Sequence, residues 1–158
     1  IHGMLHAHKA YRSLGGNSDL VIVGAEMWKH ELFDTENVHW VGRLNDDELV
    51  RAVAGAEALL YLPFFEGFGV PIVEAMACGI PVIASNTTSI PEVCGGAEAA
   101  LVSPTDAKGA AEALLRLDED ETWREKKSKQ GIRRAAEFSW ERSAHLFSNA
   151  LDEMLSEA

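Results

Sequence analysis

The sequence has few cysteines, no secretory leader and no long apolar run. Its two cysteines, Cys78 and Cys94, are spaced neither as zinc ligands nor as a CxxC redox pair. No apolar run approaches the ~18 residues of a transmembrane helix. The first residues lack the basic and apolar regions of a signal peptide. Together these absences predict a protein of the reducing cytoplasm with no transmembrane segment.

Positive charge is also scarce. Lysine and arginine number 14 against 25 acidic residues, which gives a net charge of −11. Nucleic acid is therefore excluded as an expected partner, because it requires a basic face. His2, His6 and His8 lack a carboxylate at helical spacing that would complete a metal site. The sequence thus predicts neither a metal nor another cofactor.

Short apolar runs alternate with helical patterns along the chain. This alternation predicts an α/β fold with a doubly wound, Rossmann-like parallel sheet, and the length predicts a single domain over residues 1–158. The strands are predicted at 19–24, 38–42, 58–62, 81–84 and 99–102. The helices are predicted at 1–14, 45–53, 70–78, 106–117 and 121–137, with a last helix after Ser139 whose apolar stripe is expected to pack.

The segment 64–95 contains the most informative pattern. Glu66 and Glu74 flank a glycine loop and the start of an apolar helix in which Pro71 suits the first turn. Since its other side chains are apolar, we expect Glu74 to be buried and to need donors. A helix N-terminus favours anions. Two carboxylates beside it suit a sugar nucleotide, which has both hydroxyl groups and a diphosphate.

The stretch EGFGVPIVEAMACGIPVIAS resembles the E-x7-E motif of the retaining glycosyltransferases of family 4, also called group 1. The resemblance extends over nearly the whole chain, through 38–44, 49–63, 100–104 and the sequence FSWE at 138–141. It implies the C-terminal, donor-binding half of a GT-B fold with its first, central strand missing. The Arg and Lys that hold the diphosphate in the family are missing as well, as is the N-terminal acceptor domain. We therefore expect this fragment to be inactive alone and to be able to form strand-swapped oligomers.

The resemblance also implies roles for residues. Glu74 would accept hydrogen bonds from the ribose, and Glu66, the catalytic candidate, would contact hydroxyls of the donor sugar. A covalent nucleophile remains the alternative role for Glu66. The other predicted donor-binding residues are Gly67, Phe68 and Gly69 through their backbone, Val70 and Thr88 as lining, Gly24, and Arg43 and Leu44 at the base edge.

The implied reaction transfers a sugar, with retention, from a nucleotide diphosphate to a hydroxyl of a saccharide or lipid-linked acceptor. Residues 86–93, NTTSIPEV, resemble a form common in bacterial mannosyltransferases of surface polysaccharide assembly, which favours GDP-mannose over UDP-sugars. The full-length enzyme would be cytoplasmic or peripheral at the inner membrane face. The alternatives are a sugar-nucleotide epimerase, a phosphorylase, although the core stretch has no lysine for pyridoxal phosphate, and a non-catalytic binding module.

Overall fold

The computed structural model describes residues 1–25 and 36–156, in which helices and strands alternate as the sequence predicts. The strands are β1 (Leu20–Val23), β2 (Val38–Gly42), β3 (Leu59–Tyr61), β4 (Val82–Ser85) and β5 (Ala100–Val102). The helices are α1 (His2–Ser13), α2 (Asp46–Ala54), α3 (Val70–Ala77), α4 (Ile90–Cys94), α5 (Ala107–Glu119), α6 (Glu121–Ala135) and α7 (Trp140–Ser156).

Local signals fix most helix ends. A capping box begins α2: Glu48 N–H donates to Asn45 Oδ1 at 3.0 Å, and Asn45 N–H donates to Glu48 Oε2 at 2.9 Å. Asp106 caps α5 by accepting from the N–H of Gly109 at 2.9 Å. Helix α4 was not predicted, because five residues beginning Ile90-Pro91 are too few to show a helical period.

The strands form two parallel sheets. One pairs β1 with β2, and the other has the order β3-β4-β5. All pairings are parallel, as predicted for a doubly wound α/β fold. Because β3 and β4 are parallel neighbours, the loops at their carboxyl ends lie side by side.

The three-stranded sheet is covered on both faces. All four residues of β4 are buried, and its side chains alternate between two apolar clusters, as successive strand residues must. Val82 and Ala84 face a cluster built on α3, α4 and Ala135 of α6, whereas Ile83 faces one built on α1 and α5. Cys94 is buried in the first cluster, and Cys78 is half-buried against it.

Helix α7 differs from the expectation of a packed apolar stripe. Its apolar side chains are exposed in the part of the chain that the structure describes, with Trp140 at 89% and Phe147 at 67% exposure. The stripe is amphipathic in sequence, but periodicity shows only that a face is apolar and not what covers it. Among residues 1–25 and 36–156, no helix has the length and apolar character needed to cross a membrane.

Candidate functional site

The loop after β3 presents Glu66 with donors on both carboxylate oxygens. Tyr61, the last residue of β3, donates a hydrogen bond from its hydroxyl to Glu66 Oε2 at 2.5 Å. The backbone N–H of Gly67 donates to Glu66 Oε1 at 3.0 Å. Two donors from different directions hold the carboxylate in one orientation. Glu66 is therefore positioned before any ligand arrives.

The loop after β4 fixes the backbone of the same residue. Thr88 Oγ1 accepts a hydrogen bond from Glu66 N–H at 3.2 Å, and the Ser89 hydroxyl donates to the Glu66 carbonyl at 3.1 Å. Thr88 has a φ of +53°, an uncommon conformation for a non-glycine residue. Such strain persists where the surrounding structure holds it and is frequent at functional sites. The structure thus brings Thr88 and Glu66 together, as the sequence predicted.

The electrostatics keep Glu66 ionised. The Tyr61 hydrogen bond is the main cause that lowers the pKa of Glu66, and the N–H groups of Gly67, Phe68 and Gly69 act in the same direction against a partial desolvation. In turn, burial together with the Glu66 hydrogen bond and charge raises the pKa of Tyr61 to about 12. At neutral pH the pair is therefore a neutral phenol donating to a carboxylate.

Helix α3 begins at the end of this loop. Its N-cap, Gly69, has a φ of +100°, a region that residues with a Cβ rarely adopt. A Cβ there would lie 3.3 Å from Ile72 Cδ1 and 3.8 Å from Glu66 Cγ. Pro71 occupies the first turn, as predicted. In this structure the loop N–H groups face Glu66 itself, and their role toward a donor stays a prediction.

Glu74 was expected to be buried, and this expectation is wrong. The buried face of α3 consists of Ile72, Ala75 and Met76. Glu74 lies on the opposite side and is exposed, on the same stripe as exposed Val70 four residues earlier. An apolar helix sequence does not bury every position, because a helix against one core presents only one face to it. Glu74 is thus open to a ligand above the start of α3.

The remaining predicted residues lie at the other sheet. Gly24 follows β1 and donates its N–H to the Gly42 carbonyl at 2.8 Å, which joins the ends of β1 and β2. Arg43, which is exposed, and Leu44, which is half-buried, come directly after β2. The carboxyl ends of parallel strands are where ligands bind in open α/β sheets. Six other predicted residues, by contrast, lie in the loops after β3 and β4 or at the start of α3: Glu66, Gly67, Phe68, Gly69, Val70 and Thr88.

Sequence reasoning missed the contribution of Tyr61 and Phe138 to the site. Tyr61 and Ser89 contact Glu66 directly. Phe138 packs its ring edge-to-face on Phe68, with centroids 5.5 Å apart, and connects the loop to Arg134, whose guanidinium lies 4.8 Å from the Phe138 ring. A usable signal existed for Tyr61, since it is a polar side chain at the carboxyl end of a predicted strand. The contact of Phe138 joins segments 70 residues apart in sequence, and no local pattern indicates it.

A search for metal ligands gives no site within the described ranges. Among residues 1–25 and 36–156, no three His, Cys, Asp or Glu side chains come together in a way that could hold a metal ion.

Comparison with known sequences identifies relatives over most of the chain. A family model described as "Glycosyl transferases group 1" matches residues 1–137. The O-antigen chain mannosyltransferase B of Escherichia coli is 42% identical over 105 residues, which are 66% of this chain and 27% of that protein. The MMP alpha-(1->4)-mannosyltransferase of Mycolicibacterium hassiacum is 40% identical over 114 residues, which are 70% of this chain and 28% of that protein.

The name of a third relative states its sugar donor. The GDP-mannose-dependent monoacylated alpha-(1-6)-phosphatidylinositol monomannoside mannosyltransferase of Corynebacterium glutamicum is 29% identical over 149 residues, 85% of this chain and 39% of that protein. The chain thus spans from about a quarter to two fifths of the lengths of these relatives.

Solved structures show the same fold. The sucrose-phosphate synthase of Thermosynechococcus elongatus matches with a TM-score of 0.78 and 24% identity, over 98% of this chain and 43% of that one. Anabaena HepE in complex with UDP-glucose matches with a TM-score of 0.70 and 19% identity, over 96% of this chain and 45% of that one. Matches of under half of each neighbour agree with the expectation that the chain is one half of a GT-B fold.

Proposed function

The chain belongs to the group 1 glycosyltransferases, and we propose that it is the donor-binding part of an enzyme that transfers a sugar from a nucleotide diphosphate to an acceptor hydroxyl. The observation that carries the proposal is Glu66. Its carboxylate is oriented by Tyr61 and Gly67, kept ionised, and placed at the carboxyl ends of two parallel strands. A fixed, charged acceptor of this kind suits the hydroxyls of a sugar.

The favoured donor is GDP-mannose. Two relatives that match this chain at 40% identity or more are named mannosyltransferases, and a further one is named GDP-mannose-dependent. A UDP-sugar is the second candidate, because a structural neighbour of the same fold is in complex with UDP-glucose. That neighbour is only 19% identical to the chain, so it supports a nucleotide-sugar site more than a choice of base.

Each predicted residue has a role in this proposal. Glu66 binds hydroxyls of the donor sugar, and exposed Glu74 accepts hydrogen bonds from the ribose. Val70 and Thr88 line the site beside them. Gly24, Arg43 and Leu44 meet the base from the ends of β1 and β2.

The proposed transfer proceeds with retention at the anomeric carbon. Glu66 acts by positioning the sugar rather than as a covalent nucleophile. The support is the resemblance of the E-x7-E motif, which implies that this glutamate contacts hydroxyls of the donor sugar rather than the anomeric face. The reaction is proposed to need no metal, so activity should persist in excess EDTA.

The acceptor is proposed to be a saccharide or a lipid-linked sugar, as in surface polysaccharide or glycolipid assembly. It would bind a part of the protein outside this chain, which spans only part of its relatives. The full-length enzyme is proposed to act in the cytoplasm or at the inner membrane face.

The test is a donor screen on the full-length protein. Calorimetric titrations with GDP, UDP and ADP measure which base binds, and release of nucleotide from GDP-mannose and UDP-glucose measures which donor is cleaved. We expect GDP and GDP-mannose to be selected and the transferred mannose to have the α configuration of the donor by NMR. Preferential binding of UDP would contradict GDP-mannose as the donor. A product with the β configuration would contradict transfer with retention.

Two alternative functions are distinguished when UDP-N-acetylglucosamine and membrane extract are added to the screen. A sugar-nucleotide epimerase would convert UDP-N-acetylglucosamine to its epimer with no acceptor present. A non-catalytic binding module would bind a nucleotide saturably but release none from either sugar donor, even with membrane extract added as a source of acceptor.

A further inference from the structure

Tyr61 is the one side chain that donates to the Glu66 carboxylate in the described part of the chain. It ends β3, where its Cα pairs in register with Ala84 of the neighbouring strand, and that pairing sets the face of the sheet on which its side chain lies. The hydroxyl then reaches Oε2 of Glu66, five residues later, at 2.5 Å. We propose that Tyr61 is a positioning residue that holds the Glu66 carboxylate as an oriented acceptor for the hydroxyls of the donor sugar.

The proposal rests on the function proposed above for Glu66. It goes beyond that function because it assigns the orientation of the carboxylate to a specific hydrogen bond. The backbone of the loop alone does not fix the side chain: Thr88 and Ser89 contact the N–H and carbonyl of Glu66, not its carboxylate. Gly67 N–H restrains only Oε1. Tyr61 supplies the second point of attachment, and two points define the plane of a carboxylate.

The hydrogen-bond capacity of the pair agrees with this role. A carboxylate offers about four acceptor positions, two on each oxygen. Tyr61 and Gly67 each take one position, one on each oxygen, and the N–H groups of Phe68 and Gly69 act on the carboxylate more weakly. The positions that stay open can accept hydrogen bonds from hydroxyls of a hexose. A tyrosine in this place also has no charge of its own to repel a diphosphate nearby.

The direction of proton sharing agrees as well. The pKa of Tyr61 is raised to about 12 and that of Glu66 is lowered, so the proton stays on the phenol. Among the described residues, Glu66 is the charged group that raises the pKa of Tyr61. Glu66 is consequently an acceptor throughout the neutral pH range.

The test is Tyr61→Phe in the full-length protein, with GDP-mannose as the probe donor, or UDP-glucose if the donor screen selects it. This variant keeps the ring and removes only the hydroxyl. We expect kcat/KM for donor cleavage to fall about tenfold, the size of one hydrogen bond to a charged group. Binding of GDP, which lacks the hexose that is transferred, should be unchanged. The acidic limb of the kcat/KM profile should move to higher pH, because the main cause that lowers the Glu66 pKa is gone.

Tyr11→Phe is the matched control. This variant also removes a tyrosine hydroxyl that donates to a carboxylate, because Tyr11 donates to Asp118 at 2.5 Å. The same hydroxyl accepts from the backbone N–H groups of Asn17 and Ser18. These partners lie at the end of α5 and in the turn after α1, not in the loops after β3 and β4. We expect Tyr11→Phe to lower the unfolding temperature while leaving kcat/KM and its acidic limb in place. An equal loss of kcat/KM in both variants would overturn the proposal, since a general structural effect would then explain it.

A double-mutant cycle separates this proposal from the function on which it rests. In a Glu66→Ala background, Tyr61→Phe should have no further effect, because its partner is absent. A second tenfold loss in that background would overturn the positioning role and indicate direct contact with the donor. If Tyr61→Phe has wild-type kinetics while Glu66→Ala is impaired, the positioning role of Tyr61 is overturned and the proposed role of Glu66 stands. Wild-type kinetics for Glu66→Ala would overturn the proposed role of Glu66 itself.

Discussion

The two glutamates of the E-x7-E motif lie in contrasting surroundings. Glu66 accepts hydrogen bonds from Tyr61 and Gly67, and its backbone is attached to the loop after β4. Glu74 is exposed on the outer stripe of α3. One carboxylate is therefore oriented by the protein itself, whereas the other is exposed on a helix, where the proposed function has it bind the ribose. Two residues of one motif can thus differ in how they are prepared for a ligand: Glu66 is preorganised by hydrogen bonds, and Glu74 is accessible.

The strongest test of the contrast is Glu66→Gln in the full-length protein. The amide has nearly the same shape but no charge, and one of its terminal atoms becomes a donor. We expect kcat for sugar transfer to fall by about a hundredfold, in the range seen when a preorganised electrostatic contact is lost. Steady-state kinetics with the selected donor would measure it. A change in KM alone would contradict the contrast, because it would show a contribution to ground-state binding only.

Gly69→Ala tests whether the backbone conformation of Gly69 holds the loop that contains Glu66. An alanine at a φ of +100° is strained, and its Cβ would lie 3.3 Å from Ile72 Cδ1. We expect a local destabilisation of about 2 kcal/mol, measured by amide hydrogen exchange in α3. Gly67→Ala is the matched control, because a Cβ on Gly67 would meet no atom within 4 Å. Equal exchange in the two variants would show that the Gly69 conformation does not hold the loop.

Glu74→Ala tests the accessible member of the pair. Because the side chain is exposed, its removal should leave the unfolding temperature unchanged, yet it should weaken nucleotide binding about tenfold through loss of a hydrogen bond to the ribose. Calorimetry with GDP and with the corresponding 2′,3′-dideoxy nucleotide measures the effect, which should vanish for the latter. Glu112→Ala, which removes another exposed helical glutamate, serves as the control. Equal losses for both nucleotides would exclude the ribose contact.

The smallest expected effect is on stability as a function of pH. The pKa of Glu66 is lowered in the folded protein, so its contribution to the free energy of unfolding is present above the pKa of an unfolded glutamate, roughly 4.3. That contribution is lost as pH falls through the lower, folded value. The difference in unfolding temperature between wild type and Glu66→Gln should therefore be constant near neutrality and shrink below about pH 4. For Glu112→Gln, an exposed position, we expect a smaller difference at every pH.

Local chemistry determined much of this protein. The capping residues Asn45 and Asp106 set the starts of two helices, and the apolar run at 81–84 gave a strand with both faces buried. The same reasoning located the Glu66 loop and the start of α3, because Gly69 and Pro71 have conformational requirements that few other residues meet. These features depend on neighbours within about one helical turn, which the sequence displays directly.

Tertiary structure decided what each polar and apolar face meets. Glu74 lies in an apolar helix segment and is nevertheless exposed, because α3 packs against the core through Ile72, Ala75 and Met76. The apolar stripe of α7 predicts packing but contacts water in the described part of the chain. Tyr61 and Thr88 reach Glu66 from two different strand ends. Such contacts depend on which strands are neighbours and on how a helix is rotated about its axis, and residue order alone specifies neither.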